Sequence, residues 1–295
     1  MRERCAGDHR GDRFLTLMVA TYLWRDETRD NRGYTCGPDH VVALRDMVDK
    51  NISVPYTFCC GLGPGADEWA VHLEEHSVSH FSMDFSKHAP GTVYARLMQH
   101  RPNLQDWLDL NMVDAPHITR VLSLDIDLVV TGNIDHIVNR PEDIVLWRNP
   151  NHGRPGRAFY QSSVQLFTPG ARPQLYDLFD PRTQRLPNGL DINWRFGGKE
   201  QAWISELLDW DEAFFDSSHG VYGAGRLGGS GVQSALPRNA CIVSFPGSRA
   251  PWQYEVQEKH PWLKDHYPFV EEPDEPEADS AGPDGVVPDG VSGGD

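Results

Sequence analysis

Short apolar runs alternate with longer amphipathic segments through the first half of this sequence, and that alternation restricts the fold more than any other feature. Residues 14–23 read as a strand, and Val41, Leu44 and Val48 then recur on one helical face. A strand at 56–60, a helix at 66–76, a strand at 78–82 and a helix at 92–100 follow, leading to the run VLSLDIDLVVT at 121–131. Strands that each return through a helix lie parallel, with helices on both faces. The expectation is an α/β, Rossmann-like single domain with a mostly parallel central sheet. Beyond Gly132 the pattern loosens, with strands expected at 143–147, 160–168 and 241–245 and helices at 173–179 and 200–208.

Within that frame, VLSLDIDLVVT carries the first chemical signal. Read as one continuous strand, it projects Asp125 and Asp127 from one face and Leu124, Ile126 and Leu128 from the other. Two neighbouring anions cost free energy unless a cation lies between them, and burial raises the cost. Paired carboxylate oxygens suit Mg²⁺ or Mn²⁺, ions that keep coordination places for phosphate oxygens. The pair also falls at the carboxyl end of a strand, where ligands bind in parallel α/β sheets. A structural carboxylate pair capping a turn is the alternative without a ligand.

Composition narrows the classes further. The formal net charge is -16, and the segment 271–295 holds nine acidic residues with no basic or aromatic one. It reads as a disordered acidic tail behind a domain at 14–270 and a flexible lead at 1–13. Body and tail are both acidic, which argues against bulk nucleic-acid binding. No apolar run reaches the length of a transmembrane helix. Five cysteines, with Cys59 and Cys60 adjacent, make a poor disulfide framework, so a reducing cytoplasm is the expected setting.

Other motifs compete with the aspartate pair. His72-Leu73-Glu74-Glu75-His76 matches the H-x-x-E-H pattern of inverted zinc peptidases, or is a solvated charged helix face. Gly223-Ala224-Gly225-Arg226-Leu227-Gly228 is formally G-x-G-x-x-G, yet GGSGVQSALP follows it and will not form the helix a dinucleotide site needs. Asp125 and Asp127 also fit the nucleophile and general acid of a haloacid-dehalogenase-type phosphatase, with Lys199, Asp209 and Asp211 as later motifs. That family normally carries its aspartates on a first strand near the N-terminus.

The segment HITRVLSLDIDLVVTGNIDHI resembles the D-x-D region of GT-A-fold glycosyltransferases, similar to the glycogenin-like and bacterial lipopolysaccharide-type enzymes of family 8. Further stretches fall in that family's order across residues 14–255. LMVATYLW resembles its first strand, which implies Thr21 and Tyr22 in a nucleotide pocket. VYARLMQHRP resembles the helix that donates a basic residue, here Arg96. YQSSVQLFTPG resembles the N-S-G or N-S-S strand, with Gln161, Ser162 and Ser163. GGKEQAWISELL resembles the G-D-Q helix start, and VSFPGSRAPW the F-H-G-x-x-K-P-W segment.

The resemblance implies a hexosyltransferase that moves a sugar from a nucleotide diphosphate sugar, a UDP-sugar first among them, to an unidentified acceptor with retention. Mn²⁺ or Mg²⁺ would sit on Asp125 and Asp127, while Thr21, Tyr22, Arg96, Ile126, Gln161, Ser162, Ser163 and Arg249 would contact the donor. Glu200 and Gln201 would face the sugar, and with inversion Glu200 would be the general base. The sequence departs from the family where Gln161 replaces asparagine, Glu200 replaces aspartate and Ala250 replaces lysine. The metal-binding histidine is absent too, since Ser244 and Pro246 flank Phe245. The missing histidine and lysine favour the alternative of a non-catalytic donor- or glycan-binding relative.

Overall fold

A computed structural model describes residues 16–24, 36–63, 65–83, 93–112, 115–153, 157–180, 183, 185, 200–208, 210–224, 235–245 and 250–268. The expected lead at 1–13 and tail at 271–295 lie outside these residues, as do most of the glycine motif and Lys199, Asp209 and Arg249.

Ten strands are described: β1 (Leu17–Leu23), β2 (Tyr56–Leu62), β3 (Ser79–Ser82), β4 (Arg120–Leu124), β5 (Leu128–Val130), β6 (Ile144–Arg148), β7 (Tyr160–Phe167), β8 (Ala213–Phe215), β9 (Val221–Gly223) and β10 (Ile242–Ser244). Seven form a sheet in the order β3-β2-β1-β4-β7-β6-β8, and β5-β10-β9 form a smaller one. Within the large sheet β3, β2, β1 and β4 run parallel. The direction reverses at β7, which is antiparallel to both β4 and β6. β8 then runs parallel to β6.

Apolar side chains on both faces of β1 explain its central place. Leu17, Val19 and Leu23 enter one core cluster with Val41, Leu44 and Val48 of the helix Pro38–Asn51, while Met18, Ala20 and Tyr22 enter a second with Leu97, Tyr160 and Trp203. A strand buried on both faces reads as a near-continuous hydrophobic run, and LMVATYL is one. Pro38 starts the first helix at a position where a missing N–H costs nothing, and His40 Nδ1 accepts from the Gly37 N–H at 2.9 Å. Gly61 is required by a close approach: a Cβ there would lie 2.6 Å from the Tyr22 ring.

The structure corrects the continuous aspartate strand. β4 ends at Leu124, Asp125, Ile126 and Asp127 form a turn, and β5 leaves for the smaller sheet. The two aspartates therefore share a turn between two sheets, and strand alternation does not set their relation. The helix expected at 92–100 is instead 3-10 over Val93–His100. In that tighter coil, residues three apart lie one above the other.

Candidate functional site

Backbone hydrogen bonds fix the aspartate turn from two sides. The Asp125 N–H donates to the Ser163 carbonyl at 2.9 Å, and the Phe245 N–H donates to the Asp127 carbonyl at 3.0 Å. Because β7 runs against β4, its early residues lie beside the carboxyl end of β4. Ser163 thus reaches the turn, and Ser162 reaches Arg96, although nearly 40 residues separate them from the aspartates in sequence, while Gln161 precedes them on β7 opposite Trp147 of β6. The Ser163 contribution is its backbone carbonyl; Ser162 contributes a side chain.

Arg96 is the centre of the polar cluster. Its Nη1 is ion-paired with Asp125 Oδ1. On the other side, Nη2 lies 2.7 Å from Glu200 Oε1 and Nε donates to Glu200 Oε2 at 3.1 Å, with a further bond from Nη2 to Ser162 Oγ at 3.0 Å. Arg96 and Glu200 are both buried. A planar guanidinium can serve two carboxylates at once in this way, which a lysine ammonium does less well. Burial holds the Glu200 carboxyl above the usual carboxylate range, with the Arg96 charge opposing it. Glu200 also opens the helix Glu200–Leu207, where the helix dipole favours an anion.

Asp127 makes no side-chain ion pair among the described residues. Its Oδ1 is buried with no hydrogen-bond partner among the described residues. Burial pushes its carboxyl up to about 6, with Arg96 pulling the other way. Three acidic side chains, Asp125, Asp127 and Glu200, thus surround one guanidinium, and the unmet charge is at Asp127. This donor set fits a divalent cation on Asp125 and Asp127. No cluster of three His, Cys, Asp or Glu side chains that could hold a metal occurs among the described residues. Ser244, where the family's histidine would be nearby, is buried in β10 with its Oγ unpartnered.

The other expected residues divide into two groups. Thr21 is fully buried near the end of β1 with Oγ1 unpartnered, Ile126 and Gln161 are half-buried, and Gln201 follows Glu200 with its carbonyl accepting from Ser205 Oγ at 2.6 Å. Tyr22 turns inward: it packs edge-on against Phe81 and donates from its hydroxyl to Gln99 Oε1 at 2.9 Å. Burial raises its hydroxyl well above the ordinary tyrosine range.

Sequence reasoning missed the support behind Arg96. Gln99, three residues on in the same 3-10 helix, ties that helix to β1 through Tyr22. His100 Nε2 lies 3.1 Å from Gln165 Oε1, and Gln165 Nε2 donates to the Ser162 carbonyl at 3.0 Å. His100 Nε2 also lies 3.4 Å from Gln99 Nε2, so the two glutamine amides meet at this one ring nitrogen. Consecutive residues therefore clamp the helix to β1 and to β7. A glutamine followed by a histidine has no motif that signals such a role.

The zinc pattern gains no support. His72 Nε2 contacts Asp39 Oδ1 at 2.9 Å and the His72 and His76 rings lie 4.7 Å apart, but among the described residues they belong to no cluster of three metal-ligating side chains. Residues Tyr222 and Gly223 lie in β9 and its end, so the start of the glycine motif follows a strand. No described helix is long and apolar enough to cross a membrane.

No protein-family model and no curated protein matches this sequence. Among solved structures, the galactosyltransferase LgtC in complex with donor and acceptor sugar analogs aligns over 87% of this chain and 98% of its own, at 10% identity and a TM-score of 0.51. An active-site mutant of LgtC gives 10% identity and a TM-score of 0.52, over 86% of this chain and 98% of its own. The bifunctional glycosyltransferase WbbM in its apo form matches 85% of this chain and 51% of its own, at 11% identity and a TM-score of 0.53. The fold is that of the GT-A-type glycosyltransferases.

Proposed function

We propose that this chain is a metal-dependent glycosyltransferase that moves a hexose from a nucleotide diphosphate sugar, a UDP-sugar first among candidates, to an acceptor. The observation that carries the reading is the partnerless buried oxygen of Asp127, set beside Asp125, Arg96 and Glu200 beyond the carboxyl end of β4. A GT-A-type fold around that turn supports it.

Asp125 and Asp127 would hold Mn²⁺ or Mg²⁺, whose chemistry here is to neutralise charge growing on a departing diphosphate. Arg96 adds a fixed positive group at the same place, and an interaction that strengthens as charge develops lowers the barrier. Glu200 holds that guanidinium through both of its oxygens. A carboxylate so engaged is a poor general base for an acceptor hydroxyl, which favours retention over inversion. Gln201, next along the helix, is left to face the sugar, with Gln161, Ser162 and Ser163 closing the site and Thr21 and Ile126 bordering it. Arg249 is proposed as a second basic group for the diphosphate.

The test is release of nucleoside diphosphate from a panel of nucleotide sugars, with and without Mn²⁺, by the wild type and Asp127→Ala. Release that needs Mn²⁺ and is lost in the variant is the expected result. Neither release nor binding of any donor by the wild type would sink the reading.

A further inference from the structure

Trp210 is an exposed aromatic that the site description does not use, and it is held in a definite orientation. It is 62% exposed, yet its ring lies parallel to Phe159, with centroids 5.1 Å apart and planes within 3°. Phe159 is itself wedged edge-on by buried Tyr160 at 4.8 Å and by His152 at 5.1 Å. One face of the indole is therefore covered, and an exposure this large leaves the opposite face open to solvent.

The platform belongs to the same two elements that build the site. Phe159 immediately precedes β7, three residues before Ser162, and Trp210 follows the helix that Glu200 begins. The Tyr160 N–H donates to Ser205 Oγ at 2.9 Å and pins strand to helix at this end. Since β7 opposes β4, residues before Ser163 extend past the end of β4 on the ligand side of the sheet. At about 3.3 Å per strand residue, Phe159 is roughly 10 Å along the strand from Ser162, which Arg96 bonds. At about 1.5 Å per residue, the helix that Glu200 begins is itself about 12 Å long. The stack is therefore on the order of 10 Å from the Arg96 cluster, a span that two or three linked pyranoses bridge and a single one does not.

The surroundings select the occupant. His152, which touches Phe159, and Arg157 and Asp211, close in sequence to the two stacked rings, are exposed. An apolar peptide or acyl chain would desolvate those groups without pairing them. A pyranose presents a C–H face to an aromatic ring and hydroxyls at its edge to polar neighbours. We propose that the open face of Trp210 is an acceptor subsite, stacking a sugar ring two or three units from the end that receives the transferred hexose. The acceptor is then an oligosaccharide or glycan chain. The assignment rests on the transferase reading above.

The experiment uses the full chain with mono-, di- and trisaccharides of common hexoses as probes, followed by saturation-transfer NMR and titration calorimetry. Wild type, Trp210→Ala and Trp210→Tyr are compared, with donor hydrolysis in the absence of acceptor as the control. Expected are binding of at least one di- or trisaccharide over its monosaccharide, about tenfold weaker binding in Trp210→Ala, and recovery in Trp210→Tyr. Donor hydrolysis should be the same in all three. Intact donor hydrolysis with no saccharide bound, or with equal binding by Trp210→Ala, overturns the subsite alone. A wild type that neither binds nor hydrolyses any donor overturns the transferase reading beneath it.

Discussion

Replacing Asp127 by asparagine is expected to stabilise the metal-free protein while removing its response to metal. In the fold the carboxyl is pushed from 3.8 up to about 6 by burial. At about 1.4 kcal/mol per pH unit, keeping it ionised costs the folded state about 3 kcal/mol at neutral pH. The isosteric amide removes that charge but leaves an N–H group to satisfy, at about 1–2 kcal/mol. The net gain is then about 1–2 kcal/mol, a rise of a few degrees in Tm for a domain of this size. The sign with pH follows from the raised value. Stability associated with this group is fully present below the unfolded pKa and is lost as pH rises through the folded one, so the advantage of the variant should vanish near pH 4. Thermal denaturation in EDTA at pH 7.5 and pH 4, then in Mn²⁺, tests this. Wild type should gain stability from Mn²⁺ and Asp127→Asn should not. A variant less stable than wild type in EDTA at pH 7.5, or equally advantaged at both pH values, would refute the argument.

Arg96→Met should destabilise the fold by about 3–5 kcal/mol, because Glu200 would remain buried without its counter-ion. Adding Glu200→Gln should recover part of that loss, and a double-mutant cycle by denaturant unfolding would measure the coupling. Gly61→Ala should displace the Tyr22 ring and cost about 1–3 kcal/mol, visible as a lowered unfolding midpoint. His40 and His100 are both lowered to about 4, chiefly by burial. Their contributions are intact above about pH 6.5 and are lost as pH falls toward 4, so His100→Gln should flatten the acid limb of the stability profile by up to about 3 kcal/mol.

The parallel half of the sheet was legible because β1, β2 and β4 are apolar runs and helical segments separate the strands up to β4. The break inside VLSLDIDLVVT was not. A short apolar run looks alike whether it continues one strand or passes through a turn into another sheet, and only the Ser163 and Phe245 contacts decide it. The helix Leu104–Asn111 and the strands β8 and β9 were missed, the strands because three residues carry too little pattern. At the site, Asp125, Asp127, Arg96 and Glu200 were singled out by residue type and order, and the structure places Arg96 between Asp125 and Glu200. Their mutual geometry depends on the antiparallel β7, which no local signal announces. Tyr22 was expected against a nucleotide, yet its register beside Gly61 turns the ring inward to Gln99.

The reversal of direction at β7 also bears on the order in which the chain acquires competence during synthesis. The strands up to β4 are synthesised first, and the aspartate turn emerges directly after them. Arg96 would then have Asp125 for a partner but neither Ser162 nor Glu200, which arrive tens of residues later. A nascent or truncated chain ending before Glu200 would carry the aspartates without the clamp that orients the guanidinium. The site is therefore completed late, by the segment that closes the sheet from the opposite direction, and partial translation products should be inert.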